Sequence, residues 1–262
     1  MSDAGAPHGG MTLFDFESQE RQALHRNHGS AGGYFHFAEA STAIFAATVT
    51  GADRSRVLFM ASYSMVRKHL ILAVLSALRQ HKVQSALNLR QAIEGGVIMA
   101  YLIANPDPVQ PTQDLAEVVV DNRFAERLNG KARKWLNASY PERSQALKEF
   151  KDDINQTDSH SNIVNSYATF DFESVERGFS ENLYLDRQDD DITKIALWNI
   201  GHIANHITGV LVHVARDHRG VEIASDIDEK LAFLARLDQA LLAEMQAKPR
   251  WAEHISNERA SS

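Results

Sequence analysis

The chain reads as all-α: a single helical bundle with two long central helices and a short irregular or hairpin insertion. Three observations predict this. Only six prolines occur in 262 residues, and three of them fall in Asn105–Pro111. The long proline-free stretches on either side space their apolar residues by three and four, the helical period. Mixed alternating and turn-forming residues appear only in Phe170–Asp186 (FDFESVERGFSENLYLD), where a hairpin or an irregular loop fits.

The elements follow in order. Residues 1–30 are rich in small and polar side chains at their start and read as a flexible leader without the basic and apolar regions of a secretory signal. Tyr34–Thr50 is apolar enough for a helix, ended by Gly51. Asp53 is a candidate cap for a long helix from about Arg54 to about His81, whose middle is apolar nearly all round and therefore central. A third helix from about Val83 ends at Ala104, because the proline cluster after it lacks N–H donors and disfavours helix before each ring. Thr112 caps a restart that runs to Leu128. Gly130 and Pro141 punctuate a more polar section. The second long helix runs from about Asp191 to His218, closed by Gly220. The last, about Ser225–Gln246, carries an apolar stripe of Ile227, Leu231, Leu234, Leu237, Leu241 and Leu242. Residues 31–248 then form one bundle, because the apolar early helices need the later ones to cover them. Residues 249–262 read as a polar tail.

Composition bounds the chemistry. There is no cysteine, twelve histidines and a formal charge of -7. Thiolate metal sites and cysteine nucleophiles are excluded, so any metal falls to His, Asp or Glu. The acidic balance argues against a broad nucleic-acid footprint and leaves room only for a local basic patch. The most apolar runs, Leu70–Leu78 and Val97–Ala104, are shorter than the ~18–20 residues of a membrane span. The expectation is a cytoplasmic protein with no membrane partner. No phosphate loop, dinucleotide fingerprint or paired Glu-x-x-His is present.

Three constellations stand out. Arg90 and Glu94 fall on the stripe Val83, Leu87, Arg90, Glu94, Val97, Tyr101, a charged pair within an apolar seam. Arg before Glu at i,i+4 is the weaker order for local pairing. The pair is either a buried register-fixing ion pair or a site, with Arg90 holding an anion, Glu94 as acid or base and Tyr101 lining it. Gly95 and Gly96, each costing about 1 kcal/mol in a helix, mark either close helix packing or room for a ligand. Second, His202, His206 and His213 lie within about 40° of one another on one helix face, with Trp198 beside them. His-x-x-x-His can hold a divalent metal, and His202 and His206 are the candidate ligands. Ile203 stands where the zinc-protease pattern needs Glu, so acid–base, substrate-binding and packing roles stay open. Third, Asp158-Ser159-His160 either caps a helix or places His160 at a helix N-terminus, where the dipole keeps it neutral as a base. The basic residues Arg127, Lys131, Arg133 and Lys134 beside Trp135 read as a solvated face.

The run Leu87–Pro106, with Arg90-x-x-x-Glu94, followed by Ser159–His160 and the aromatic Phe170–Phe172, resembles an element of uncharacterised bacterial all-helical proteins. These are distantly similar to HEPN-type helical domains. The resemblance implies a helical fold and, through HEPN, an RNase of toxin or phage-defence systems. The HEPN spacing of Arg and His is met here by Arg21 and His28, near the N-terminus.

The leading expectation is a polar site in the bundle, hydrolytic or ligand-binding toward a small anionic molecule. Glu94, His160 and His202 are its catalytic candidates, and Arg90, Tyr101 and Trp198 its substrate-binding ones. The alternatives are a HEPN-like RNase and a non-enzymatic module that pairs as a homodimer through the amphipathic last helix.

Overall fold

The computed structural model describes residues 12–106, 122–157, 170–171, 181–182, 185 and 189–248. Helix α1 (Leu13–Ala31) and α2 (Gly33–Ala47) are followed by strand β1 (Val49–Ala52) and a 3-10 turn (Arg54–Arg56). Then come α3 (Val57–Leu78), α4 (Lys82–Ala104), α5 (Asn122–Ser139) and α6 (Pro141–Thr157). The two-residue strands β2 (Phe170–Asp171) and β3 (Glu181–Asn182) precede α7 (Asp190–Asp217), β4 (Val221–Ile223) and α8 (Ile227–Gln246). The protein is all-α, as the proline distribution and periodicity predict. Of the two forms open for the insertion, the hairpin is present, with Phe170 opposite Asn182.

The core is one continuous cluster built around α4 and α7. Helix α4 buries two faces. Ala86, Leu89, Ile93, Gly96, Ala100 and Ile103 form one, and Ser85, Asn88, Ala92, Gly95, Met99 and Leu102 the other. Helix α7 buries Ile200, Ile203, Ile207, Val210 and Val214, the apolar side that its periodicity marks. Polar bolts tie the α3–α4 pair. Ser85 Oγ donates to the Ala73 carbonyl at 2.9 Å, and Asn88 Oδ1 lies 3.0 Å from His69 Nδ1.

The turn between α3 and α4 replaces the continuous helix expected to His81. The His81 N–H reaches the Ser76 carbonyl and the Gln80 N–H the Ala77 carbonyl. This is a Schellman closure with Gln80 at φ 62° where glycine is usual. Its surroundings hold it: Arg26 Nη2 donates to Gln80 Oε1, and Asn27 Nδ2 to the Leu78 carbonyl at 2.8 Å.

Several expectations are corrected. Residues 13–30 are not a leader but helix α1. Thr12 and Asp15 cap it reciprocally, and it buries Ala23, Asn27 and Ala31. The HEPN-like spacing lies within it: Arg21 pairs with Glu17, and the His28 ring lies 4.4 Å from that of Phe35. The Tyr34–Thr50 segment leaves the helix after Ala47, because Val49–Ala52 pairs antiparallel with Val221–Ile223. Asp53 precedes the 3-10 turn and its side chain caps nothing. The cap proposed at Thr112 lies outside the described residues. Arg54–Leu78 and Asp190–Asp217 are each long and apolar enough to cross a membrane by length and composition, although the apolar runs within them are short. Polar side chains interrupt those runs, yet hydropathy averaged over 18 residues stays apolar.

Candidate functional site

Glu94 sits on the third, half-exposed edge of α4, with Leu87, Arg90 and Tyr101 along the same edge. It is therefore the rim of the bundle, not the middle of a buried seam. Helix α4 carries apolar residues on every side, so its period cannot say which of three stripes faces the core. Gly95 and Gly96 face away from this edge. A Cβ on Gly95 would lie 2.8 Å from Met65 Cε and Val66 Cγ2, and one on Gly96 3.1 Å from Ile207 Cγ2. They are packing glycines for α3 and α7, and the ligand room considered beside Glu94 is filled.

Three basic side chains from three helices meet Glu94. Lys151 Nζ of α6 is 2.7 Å from Oε1, Arg133 Nη2 of α5 3.4 Å and Arg90 Nε of α4 3.5 Å. Lys151 is only 16% exposed, whereas Arg133 is 48% exposed. Burial pushes the Glu94 carboxyl up. The hydrogen bond and charge of Lys151, with Arg133 and Arg90, outweigh it, so the group sits below its ordinary value. Glu94 is thus held as a carboxylate. Arg90 Nε is buried without a hydrogen-bond acceptor. Lys151 was not singled out in the sequence, yet a signal exists. It lies on the stripe Leu147, Lys151, Ile154, a charge between buried apolar residues. Of the basic run expected to be a solvated face, Lys131 and Lys134 are exposed as expected, and Arg133 turns to Glu94.

The histidine face of α7 forms a second cluster. His202 Nδ1 donates to Asp238 Oδ2 of α8 at 2.7 Å. Trp198 stacks on His202 with ring centroids 4.9 Å apart and planes at 19°. His206 meets His202 edge-on at 4.7 Å, and Phe150 of α6 meets both rings edge-on at 5.3 and 4.9 Å. Phe150 and Lys151 are neighbours about 100° apart on α6. The helix thus turns one residue to each cluster and separates the expected single site into two. Among the described residues no hydrogen bond or ion pair joins them.

His213 shares the face but not the site. Seven residues beyond His206 is about 10 Å along the axis. There its ring meets Tyr140 at 5.3 Å, with Nε2 3.9 Å from Asp217. Tyr101 likewise packs on Trp135, edge-on at 5.9 Å. His160 lies outside the described residues. No group of three or more His, Asp or Glu side chains arranged to hold a metal occurs among the described residues, so His202 and His206 lack a third partner of that kind there. Asp238 was missed in the sequence. It stands on the stripe Leu234, Asp238, Leu241, Met245, again a charge on an apolar face.

Burial, then the neighbouring His202, pulls His206 down to about 4, with Arg143 adding to the shift and Asp238 opposing it. An unfolded histidine titrates near 6.5. Between those values the unfolded chain binds a proton that the folded one does not. Stability from this group is complete above about pH 6.5 and is lost as pH falls toward 4. Urea midpoints of the wild type are expected to drop across this window, and His206→Asn to flatten the drop. An equal drop in the variant refutes the assignment.

The chain matches no family model, no curated protein and no solved structure.

Proposed function

We propose that the protein binds a small anionic molecule, carrying phosphate or carboxylate, at the edge of the bundle where α4, α5 and α6 meet. The observation that carries this reading is the convergence of Arg90, Arg133 and Lys151 on the single carboxylate of Glu94. One cation suffices to neutralise it. Glu149 and Asp153 of α6 lie about 200° round the helix from Lys151 and do not complete the pairing. Arg90 Nε faces the Glu94 carboxylate at 3.5 Å without a hydrogen bond and supplies a donor for an incoming oxygen. Half-exposed Arg133 provides the entry side. Guanidinium groups suit planar or tetrahedral oxyanions because they donate two parallel hydrogen bonds. Glu94 acts here as the resident counter-ion that holds the cations together, not as an acid.

The test is calorimetric titration with inorganic phosphate at low salt, where exposed charges are least screened. Saturable binding is expected, about tenfold weaker in Arg133→Ala, since about 1.4 kcal/mol is one decade. It is expected to be tighter in Glu94→Gln, which removes the competing carboxylate charge. Absence of phosphate binding, or equal affinity in all three proteins, overturns the reading.

A further inference from the structure

We propose that His202 and Asp238 form an acid–base dyad that hydrolyses acyl esters, at a site separate from the anion site at Glu94. The geometry fixes the roles. The Asp238 carboxylate accepts from His202 Nδ1, so the neutral ring carries its proton there and presents a lone pair at Nε2. The stacked indole of Trp198 and the edge of Phe150 hold the ring plane. His202 is 23% exposed, and no protein group among the described residues occupies Nε2.

Polar atoms around the dyad are unspent. Trp198 Nε1, Asn205 Oδ1 and Asp238 Oδ1 are buried with no hydrogen-bond partner. Buried polar atoms are normally satisfied, so three orphans beside one dyad mark a place that a ligand or water completes. Trp198, His202, Asn205 and Gly209 form one stripe of α7 at spacings of four, three and four. At its far end Gly209 makes room for a guanidinium: a Cβ there would lie 3.1 Å from Arg143 Nη1. Arg143 acts electrostatically on His206 and makes no ion pair among the described residues.

The substrate class follows from what surrounds the ring. Trp198 and Phe150 lie against His202 and offer aromatic walls to an apolar acyl or aryl group. His202 Nε2 takes a proton from water while the water oxygen bonds to the carbonyl carbon. The carbonyl electron pair moves to oxygen. The intermediate then collapses, the bond from carbon to the alcohol oxygen breaks, and that oxygen takes the proton from Nε2. The products are a carboxylic acid and an alcohol. Asp238 is a positioning residue that orients and stabilises the imidazolium.

The probe is 4-nitrophenyl acetate, followed by release of nitrophenolate. Wild-type protein is expected to exceed equimolar imidazole by about a hundredfold or more, the general-base contribution, and His202→Gln to abolish the excess. Asp238→Asn is nearly isosteric and keeps the fold testable. It is expected to lower kcat at least tenfold with KM unchanged and to displace the midpoint of the pH–rate profile, which a merely structural role leaves in place. A rate no greater than that of imidazole, or unchanged by His202→Gln, overturns the dyad. An unmoved pH midpoint in Asp238→Asn does the same. Phosphate binding at Glu94 is measured separately, so either reading can fail alone.

Discussion

Gly201→Ala is expected to lower the stability of the fold by about 3 kcal/mol, at the upper end of overpacking costs. Gly201 lies on the buried side of α7 where α2 crosses it. A Cβ there would fall 2.6 Å from both Cδ1 and Cε1 of Phe37. Phe37 is completely buried, and a ring in a close-packed interior has no empty volume to enter. The two helices must separate or the ring must leave its rotamer. Gly130 is the internal control. It also lies within a helix, but nothing approaches its Cβ position within 4 Å. Gly130→Ala is therefore expected to gain up to about 1 kcal/mol from helix propensity alone. Urea unfolding of the two variants separates the effects. Similar midpoints for both would show that the α2–α7 crossing yields.

Arg56→Leu is expected to cost about 3 kcal/mol, the loss of charged hydrogen bonds to buried acceptors. The Arg56 guanidinium is buried and donates from Nη1 to the carbonyls of Leu102 and Ile103, and from Nη2 to the carbonyl of Arg219. It thereby caps the last turn of α4, whose carbonyls have no partner within the helix. It also ties that end to the turn between α7 and β4. That turn needs Gly220, which has φ 98° and a Cβ position 2.8 Å from Arg56 Nε. Leucine preserves bulk but leaves three carbonyls without this donor. The expected signature is a lower urea midpoint, with faster amide exchange concentrated at the end of α4 and in the β1–β4 pair. Uniform loss of protection, or no loss, would refute the capping role.

The two clusters show what helical arithmetic reads well and what it does not. Angular position along α7 correctly separates the apolar side, Ile200 to Val214, from the histidine side. It does not say that His202 and His206 share a site while His213 stands about 10 Å further on. Nor does it supply Asp238, which comes from the following helix. For α4 even the face was ambiguous. Arg90 and Glu94 share a stripe with apolar residues, but the two other stripes of the same helix carry no charge and win the core. The partners of Glu94, Arg133 and Lys151, come from helices beyond the proline cluster. In hindsight both missed residues carry a mark: Lys151 and Asp238 are single charges on otherwise apolar stripes.

Local chemistry in the chain was enough to determine the helical class, the break at the proline cluster, the place of the insertion and the buried side of α7. Those features depend on backbone donors, φ restriction and a period of about 3.6 residues. Only the tertiary structure decided that residues 13–31 join the bundle, that β1 pairs with β4, and that one polar site becomes two. Each of these depends on a partner distant in sequence, and a helix face carries no record of which other helix will cover it.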